Sequence, residues 1–217
     1  MLLVTGTGRS GTHYTSELLK QMGYDVPHEA VGKDGAASWK HIVSGKFVYI
    51  GKNREAEIDS TGFTRILHQV RHPLKVIASM QTFSDSTWAY MAKFIELDAG
   101  LCPIRRSMQA WVRWNEFIEP KADWRFQIEE LKDVFPEFCK HAGIPTVEMP
   151  EIPERAKDSR TKRYNPLTLA DLVKKDARLA LEVEALANRY NYKDLSSFQP
   201  TPRPEPTSWF RKIFPVT

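Results

Sequence analysis

Cysteine is scarce in this 217-residue chain. Its two thiols, Cys102 and Cys139, show neither CxxC nor metal-type spacing, which argues against a zinc knuckle and against a disulfide-stapled scaffold. Each falls beside apolar residues, so both are expected as buried free thiols. No stretch reaches the roughly 18 apolar residues that a membrane-spanning helix needs, and Met1 leads into Leu2-Leu3-Val4 without a charged leader. The expectation is a cytoplasmic protein with no transmembrane segment. Internal repeats are missing, which excludes a solenoid. A strong charge of one sign is missing too: 31 Lys and Arg against 27 Asp and Glu give +4, spread along the chain. That balance suits an anionic cofactor as well as nucleic acid and does not choose between them.

What is present is 41% hydrophobic content in a length that still forms one core. One domain is expected over 1–192, followed by a Pro-rich tail over 193–217 that ends in SWFRKIFPVT. Such a tail could dock on the domain, on a second copy in a homo-oligomer, or on a membrane surface.

The rest of the chain is organised around Leu2 to Leu19, LLVTGTGRSGTHYTSELL. Leu2, Leu3 and Val4 read as a strand; Gly6, Gly8 and Gly11 interrupt it; from Thr12 onward Leu18, Leu19 and Met22 recur at helical spacing. A strand, tight loop and helix in this order turn backbone N–H groups toward one point at the positive end of a helix dipole, an arrangement suited to phosphate. Gly6 and Gly11 bracket four residues as in a P-loop, yet Thr12 stands where the lysine should be, and the basic residue is Arg9. A nucleoside triphosphatase needs that lysine and Mg²⁺, so a different phosphate ligand is indicated, or a plain turn that binds nothing.

Gly23 stops the first helix, and Tyr24-Asp25-Val26-Pro27 reads as a second strand that ends at His28-Glu29, with GKDGAASWK giving a turn and a helix start. Ligands of open α/β sheets collect at carboxyl ends of strands, so Glu29 and His28 stand where an attacking group would need a base. Alternatively Glu29 pairs with Lys33 or Arg9, and His28 is a packed strand-end histidine. Arg65 to Val70 has a buried-strand pattern, and Pro73 suits the first position of a helix running to Met80. Arg71 then ends a strand on the same sheet edge as the first loop, where it and Ser79 could hold a second anion. Phe47 to Ile50 reads as a short strand or a helix-to-loop segment, and Ala89 to Ile95 as a helix.

Ile104, Met108, Trp111, Val112 and Ile118 mark a helix that ends before Pro120, with Trp111 and Trp114 as core. Asp123 to Ile128 reads as a strand, and Glu129 opens a helix ended by Gly143 and Pro145. A loop from Ile144 to Pro166 carries Arg160 and Arg163. Thr168 with Asp171 starts a long helix to Tyr190.

TGTGRSGTHY followed by VRHPLKVIASM resembles the paired cofactor motifs of the sulfotransferase superfamily, whose sulfuryl donor is 3′-phosphoadenosine 5′-phosphosulfate (PAPS). HEAVGKDGAASW is similar to a stretch of bacterial members, QIEELKDVF to the family's YEDL segment, and LTLADL to LTWEDL. The resemblance implies a three-layer α/β/α, P-loop NTPase-like fold with a central parallel sheet. It implies a 5′-phosphosulfate loop of Gly8, Arg9, Ser10, Gly11, Thr12, His13 and Tyr14, with Tyr14 stacked on adenine or turned to the core. Arg71 and Ser79 match the family's R-x-P-x(5)-S pattern for the 3′-phosphate, and Arg160 or Arg163 would close over it. Many cytosolic members carry lysine at the Arg9 position, tryptophan at Tyr14 and aspartate at His72.

The expected enzyme moves a sulfuryl group to the hydroxyl of a small molecule, sugar or lipid and leaves adenosine 3′,5′-bisphosphate (PAP), with Glu29 or else His28 as base, Arg9 at the leaving phosphate, and no metal or nucleic acid. The alternatives are a small-molecule or nucleotide kinase with an aberrant P-loop, or a non-catalytic nucleotide- or nucleic-acid-binding domain.

Overall fold

The computed structural model describes residues 1–43, 46–50, 55–59, 62–152, 165–193 and 195–197. Arg160, Arg163 and the tail beyond 197 lie outside these residues. The chain runs β1 (Leu2–Thr5), α1 (Thr12–Gln21), β2 (Gly35–Ala37), β3 (Lys46–Ile50), β4 (Glu55–Asp59), β5 (Arg65–Val70), α2 (Pro73–Met80), α3 (Asp85–Met91), α4 (Pro103–Ile118), β6 (Trp124–Gln127), α5 (Phe135–Ala142), α6 (Leu169–Lys175) and α7 (Ala177–Arg189). Four strands form an all-parallel sheet in the order β2-β1-β5-β6, while β3 and β4 form a separate antiparallel hairpin.

The side chains of β1 alternate between the two faces of the sheet. Leu2 and Val4 join a core with Leu18, Leu19, Leu67, Phe126 and Phe138, while Leu3 joins a second core with Ile77, Trp111, Trp114 and Val183. Helices α1 and α5 thus cover one face and α2, α4 and α7 the other, a layering compatible with α/β/α architecture. Leu195 is buried in the second core, so packed structure reaches past 192. No described helix is long and apolar enough to cross a membrane.

Several expectations need correction. The second strand is Gly35–Ala37 instead of Tyr24 to Pro27, and GKDGAASWK starts no helix. Asp25 and Asp34 fold the preceding segment back: Lys33 N–H donates to Asp25 Oδ2 at 2.6 Å and Asp25 N–H to Asp34 Oδ2 at 2.8 Å. The small Gly-Ala-Ala run fits against β1, where a Cβ on Gly35 would stand 1.9 Å from the Leu2 carbonyl oxygen. His28 reaches the sheet only through a single bridge to Ala37.

Glu129 lies in the middle of a 3₁₀ turn, Ile128–Glu130, and α5 begins only at Phe135, while the Glu129 carboxylate is engaged elsewhere. It accepts from His72 N–H at 3.0 Å and from the Tyr192 hydroxyl at 2.9 Å. The long helix after Thr168 is two helices. Asp176 breaks it with φ −164° and ψ 103°, caps α7 by accepting from Leu179 N–H, and pairs with Arg105 at 2.8 Å. Cys139 is buried as expected, whereas Cys102 precedes α4 and is exposed.

On β5, His68 is sealed under α4. Its Nε2 lies 2.9 Å from Asn115 Oδ1, and its ring meets Tyr190 edge-on at 5.7 Å. Burial pushes its pKa from 6.5 down to about 4, outweighing the Asn115 hydrogen bond. Burial also pushes His28 and His72 down to about 4. A base whose folded pKa is depressed favours the neutral form, so the unfolded chain binds more protons between pH 6.5 and 4. Stability is therefore full above pH 6.5 and lost as the pH falls toward 4. Urea midpoints measured across this window should fall on acidification, and His68→Gln should flatten the slope in part only, since His28, His41 and His72 are depressed as well.

Candidate functional site

The parallel register Thr5↔His68 places the loop after β1 beside the residues that follow His68. That loop is built by close approach. A Cβ on Gly6 would stand 2.1 Å from the Gln69 carbonyl oxygen, and one on Gly8 would stand 2.6 Å from Phe83 Cζ. Arg9 and Gly11 have φ of 76° and 99°, left-handed values that curl the chain on either side of Ser10. Gln69, fully buried, ties the curl down: its Nε2 donates to the Ser10 carbonyl at 2.8 Å and its Oε1 accepts from the Thr15 hydroxyl.

Gly11 caps α1 without a side-chain bond, and the first turn holds no acidic residue. Among the described residues the N–H groups of Gly8, Arg9, Gly11, Thr12 and His13 have no protein acceptor. The Ser10 hydroxyl and Arg9 Nε are buried without a partner there as well. Unsatisfied donors around a helix N-terminus are what a bound anion would satisfy.

The second motif closes on the same loop. Arg71 Nη1 donates to the Arg9 carbonyl at 3.2 Å. Arg9 Nη2 in turn donates to the Thr82 hydroxyl at 3.1 Å, and the Arg9 guanidinium lies 4.9 Å from the Phe83 ring centroid. The Thr82 hydroxyl donates to the Ser79 carbonyl at 2.8 Å, and Ser79 itself is buried on the last turn of α2. Arg9, Arg71, Ser79 and Thr82 thus form one connected cluster at the carboxyl edge of the sheet.

Glu29 and His28 reach this rim from β2's side. The His28 ring packs edge-on against His13, on the first turn of α1, at 5.2 Å. His28 Nε2 is 3.6 Å from Glu29 Oε1. Burial, then His13 and Lys40, depress the His28 pKa to about 4, so its imidazole is neutral at pH 7. Glu29 adopts a left-handed φ of 61° while its N–H donates to the Ala37 carbonyl. Its ion-pair partner is Lys40, with Nζ 2.7 Å from Oε2, instead of Lys33 or Arg9. Tyr14 is partly buried against the core that holds α1 and α5.

The residues that sequence reasoning passed over are Lys40, Gln69, Thr82 and Phe83. Gln69 carried a signal, a polar side chain two places before Arg71 in a strand that reads as buried. Thr82 and Phe83 follow the last turn of α2 and could have been sought as partners for Arg9. No family model matches the chain, and no curated protein matches it significantly.

Replacing Gln69 by leucine leaves the Ser10 carbonyl and the Thr15 hydroxyl without their buried partner. The expected cost is about 1–3 kcal/mol of unfolding free energy in chemical denaturation.

Proposed function

We propose that the chain is a PAPS-dependent sulfotransferase with a P-loop-like fold, moving a sulfuryl group to an acceptor hydroxyl on a small molecule, sugar or lipid. The observation that supports this most is the Arg71–Arg9 contact, because it brings the two motifs of the resemblance to one rim. Two adjacent cationic positions suit a ligand with two separated phosphates. The unpartnered donors around Ser10 fit the 5′ group.

When bound, PAPS supplies a sulfuryl group on a good leaving phosphate, so that a hydroxyl oxygen forms the new S–O bond and PAP departs. The Ser10 N–H is taken by the Thr7 carbonyl at 3.0 Å, so the N–H groups of Gly11, Thr12 and His13, with the Thr12 hydroxyl and Arg9, would hold the 5′ end, and Arg71 with Ser79 the 3′-phosphate. Arg160 and Arg163 are assigned to the 3′-phosphate on the family pattern alone. Glu29, held at this rim with Lys40 2.7 Å from its Oε2, would accept the acceptor's proton. His28, neutral and adjacent, is the second candidate for that proton. Preorganised donors of this kind contribute about 3 kcal/mol each to transition-state stabilisation.

A thermal-shift comparison tests the reading. PAP should raise the melting temperature more than ATP with Mg²⁺, and an oligonucleotide should leave it unchanged. Arg71→Ala should abolish most of the PAP shift. With labelled donor and an acceptor pool, Glu29→Gln should lower kcat by about a hundredfold or more while the PAP shift persists. Greater stabilisation by ATP would transfer the protein to the kinases.

A further inference from the structure

The ion pair of Glu29 with Lys40 is not used by the reading above, and it bears on a difficulty in that reading. A carboxylate beside a site for a polyanionic donor repels it, since like charges within a few ångströms in a partly desolvated cleft interact strongly. Glu29 is nonetheless held at this rim by a backbone conformation that glutamate seldom adopts, φ 61°, secured by its N–H bond to the Ala37 carbonyl. A non-glycine residue kept left-handed indicates that its position matters more than the local strain.

Lys40 stands where it offsets that repulsion. Its Nζ is 2.7 Å from Glu29 Oε2, and both side chains are largely shielded, at 15% and 20% exposure. The Lys40 ammonium lies 5.7 Å from the Trp39 ring centroid, Trp39 stacks on Phe83 at 6.3 Å, and Phe83 carries the Arg9 guanidinium. The two rings therefore link the Lys40–Glu29 pair to the cation of the phosphate loop. The Tyr90 hydroxyl donates to the Lys40 carbonyl at 3.1 Å and fixes the lysine backbone against α3. From the other side, His28 joins Glu29 to His13 on the first turn of α1.

We propose that Lys40 is a positioning residue for Glu29 whose ammonium compensates the carboxylate's charge, so that a general base and a polyanionic sulfuryl donor can occupy the same cleft. This rests on the sulfotransferase reading and adds to it a residue outside both family motifs. Lys40 contributes to donor affinity through Glu29, and the two residues should act on that affinity with opposite signs.

Isothermal titration of the full chain with PAP at low salt measures this directly. Glu29→Gln removes the repelling charge and should tighten PAP binding by about threefold to fivefold, whereas Lys40→Met exposes it and should weaken binding by a similar factor. The double variant should return to near the wild-type affinity, and Lys40→Arg should keep it. All these differences should shrink in 0.5 M salt, at roughly a 4 Å screening length. Melting temperatures of the unliganded variants report folding separately. A merely structural pair would give two single variants that both weaken binding, or neither, and either result overturns the role given to Lys40 while leaving the donor assignment standing. Failure of the wild-type protein to bind PAP would overturn the donor assignment and this inference together.

Discussion

Gln69 and Arg71, at the end of β5, hold the backbone of the loop after β1, and the geometry of the site depends on that restraint. Gln69 takes the Ser10 carbonyl and Arg71 the Arg9 carbonyl. In a trans peptide the N–H points opposite to the carbonyl that precedes it. Drawing the Ser10 carbonyl toward β5 therefore turns the Gly11 N–H away from the strand. The parallel pairing of β1 with β5 makes this possible, because it brings the carboxyl ends of both strands to one edge. Gly6 is part of the same constraint, since the Gln69 carbonyl already occupies the place of its Cβ.

Much of this was legible in the residues. Apolar runs bounded by Gly and Pro marked β1 and β5, and Pro73 gave the start of α2. The Thr168–Asp171 capping box is present with both of its bonds. What failed did so where tertiary contacts outweighed local pattern. Tyr24 to Pro27 has better strand residues than Gly-Ala-Ala, but the space beside β1 admits only the smaller run. A 3.6-residue periodicity continues across Asp176, yet that side chain gains a cap and an ion pair by breaking it. Glu129 looked like a helix-opening glutamate, and its carboxylate serves His72 and Tyr192 instead. At the site, the loop and Arg71 were readable from spacing. Lys40 was not, because a lone lysine in a turn has no sequence pattern that announces its partner.

Buried polar groups at this edge are arranged in a consistent way. His68 stays neutral against Asn115, and Asn115 passes the chain of bonds on by donating to the Trp111 carbonyl at 2.8 Å. The Tyr192 hydroxyl is kept protonated by burial and by Glu129 beside it. Proximity to carboxylate and loss of water act in the same direction there. His68 and the Tyr192 hydroxyl, under the rim, are therefore both uncharged at neutral pH.

Two helices leave the sheet at this edge, and their N-termini are treated differently. The entry to α2 is already supplied with an anion: the Glu129 carboxylate accepts from His72 N–H, and Pro73 in the first turn has no N–H to satisfy. The entry to α1 has a glycine cap, no acidic residue in its first turn, and N–H groups without acceptors among the described residues. A ligand anion is thus drawn to α1, where the dipole is uncompensated, and repelled from α2, where a carboxylate stands. Any second anion on this rim has to be held by side chains alone. The proposed pair Arg71 and Ser79 would do that work, and the Arg71 guanidinium already reaches the Arg9 carbonyl inside the loop that would hold the first anion.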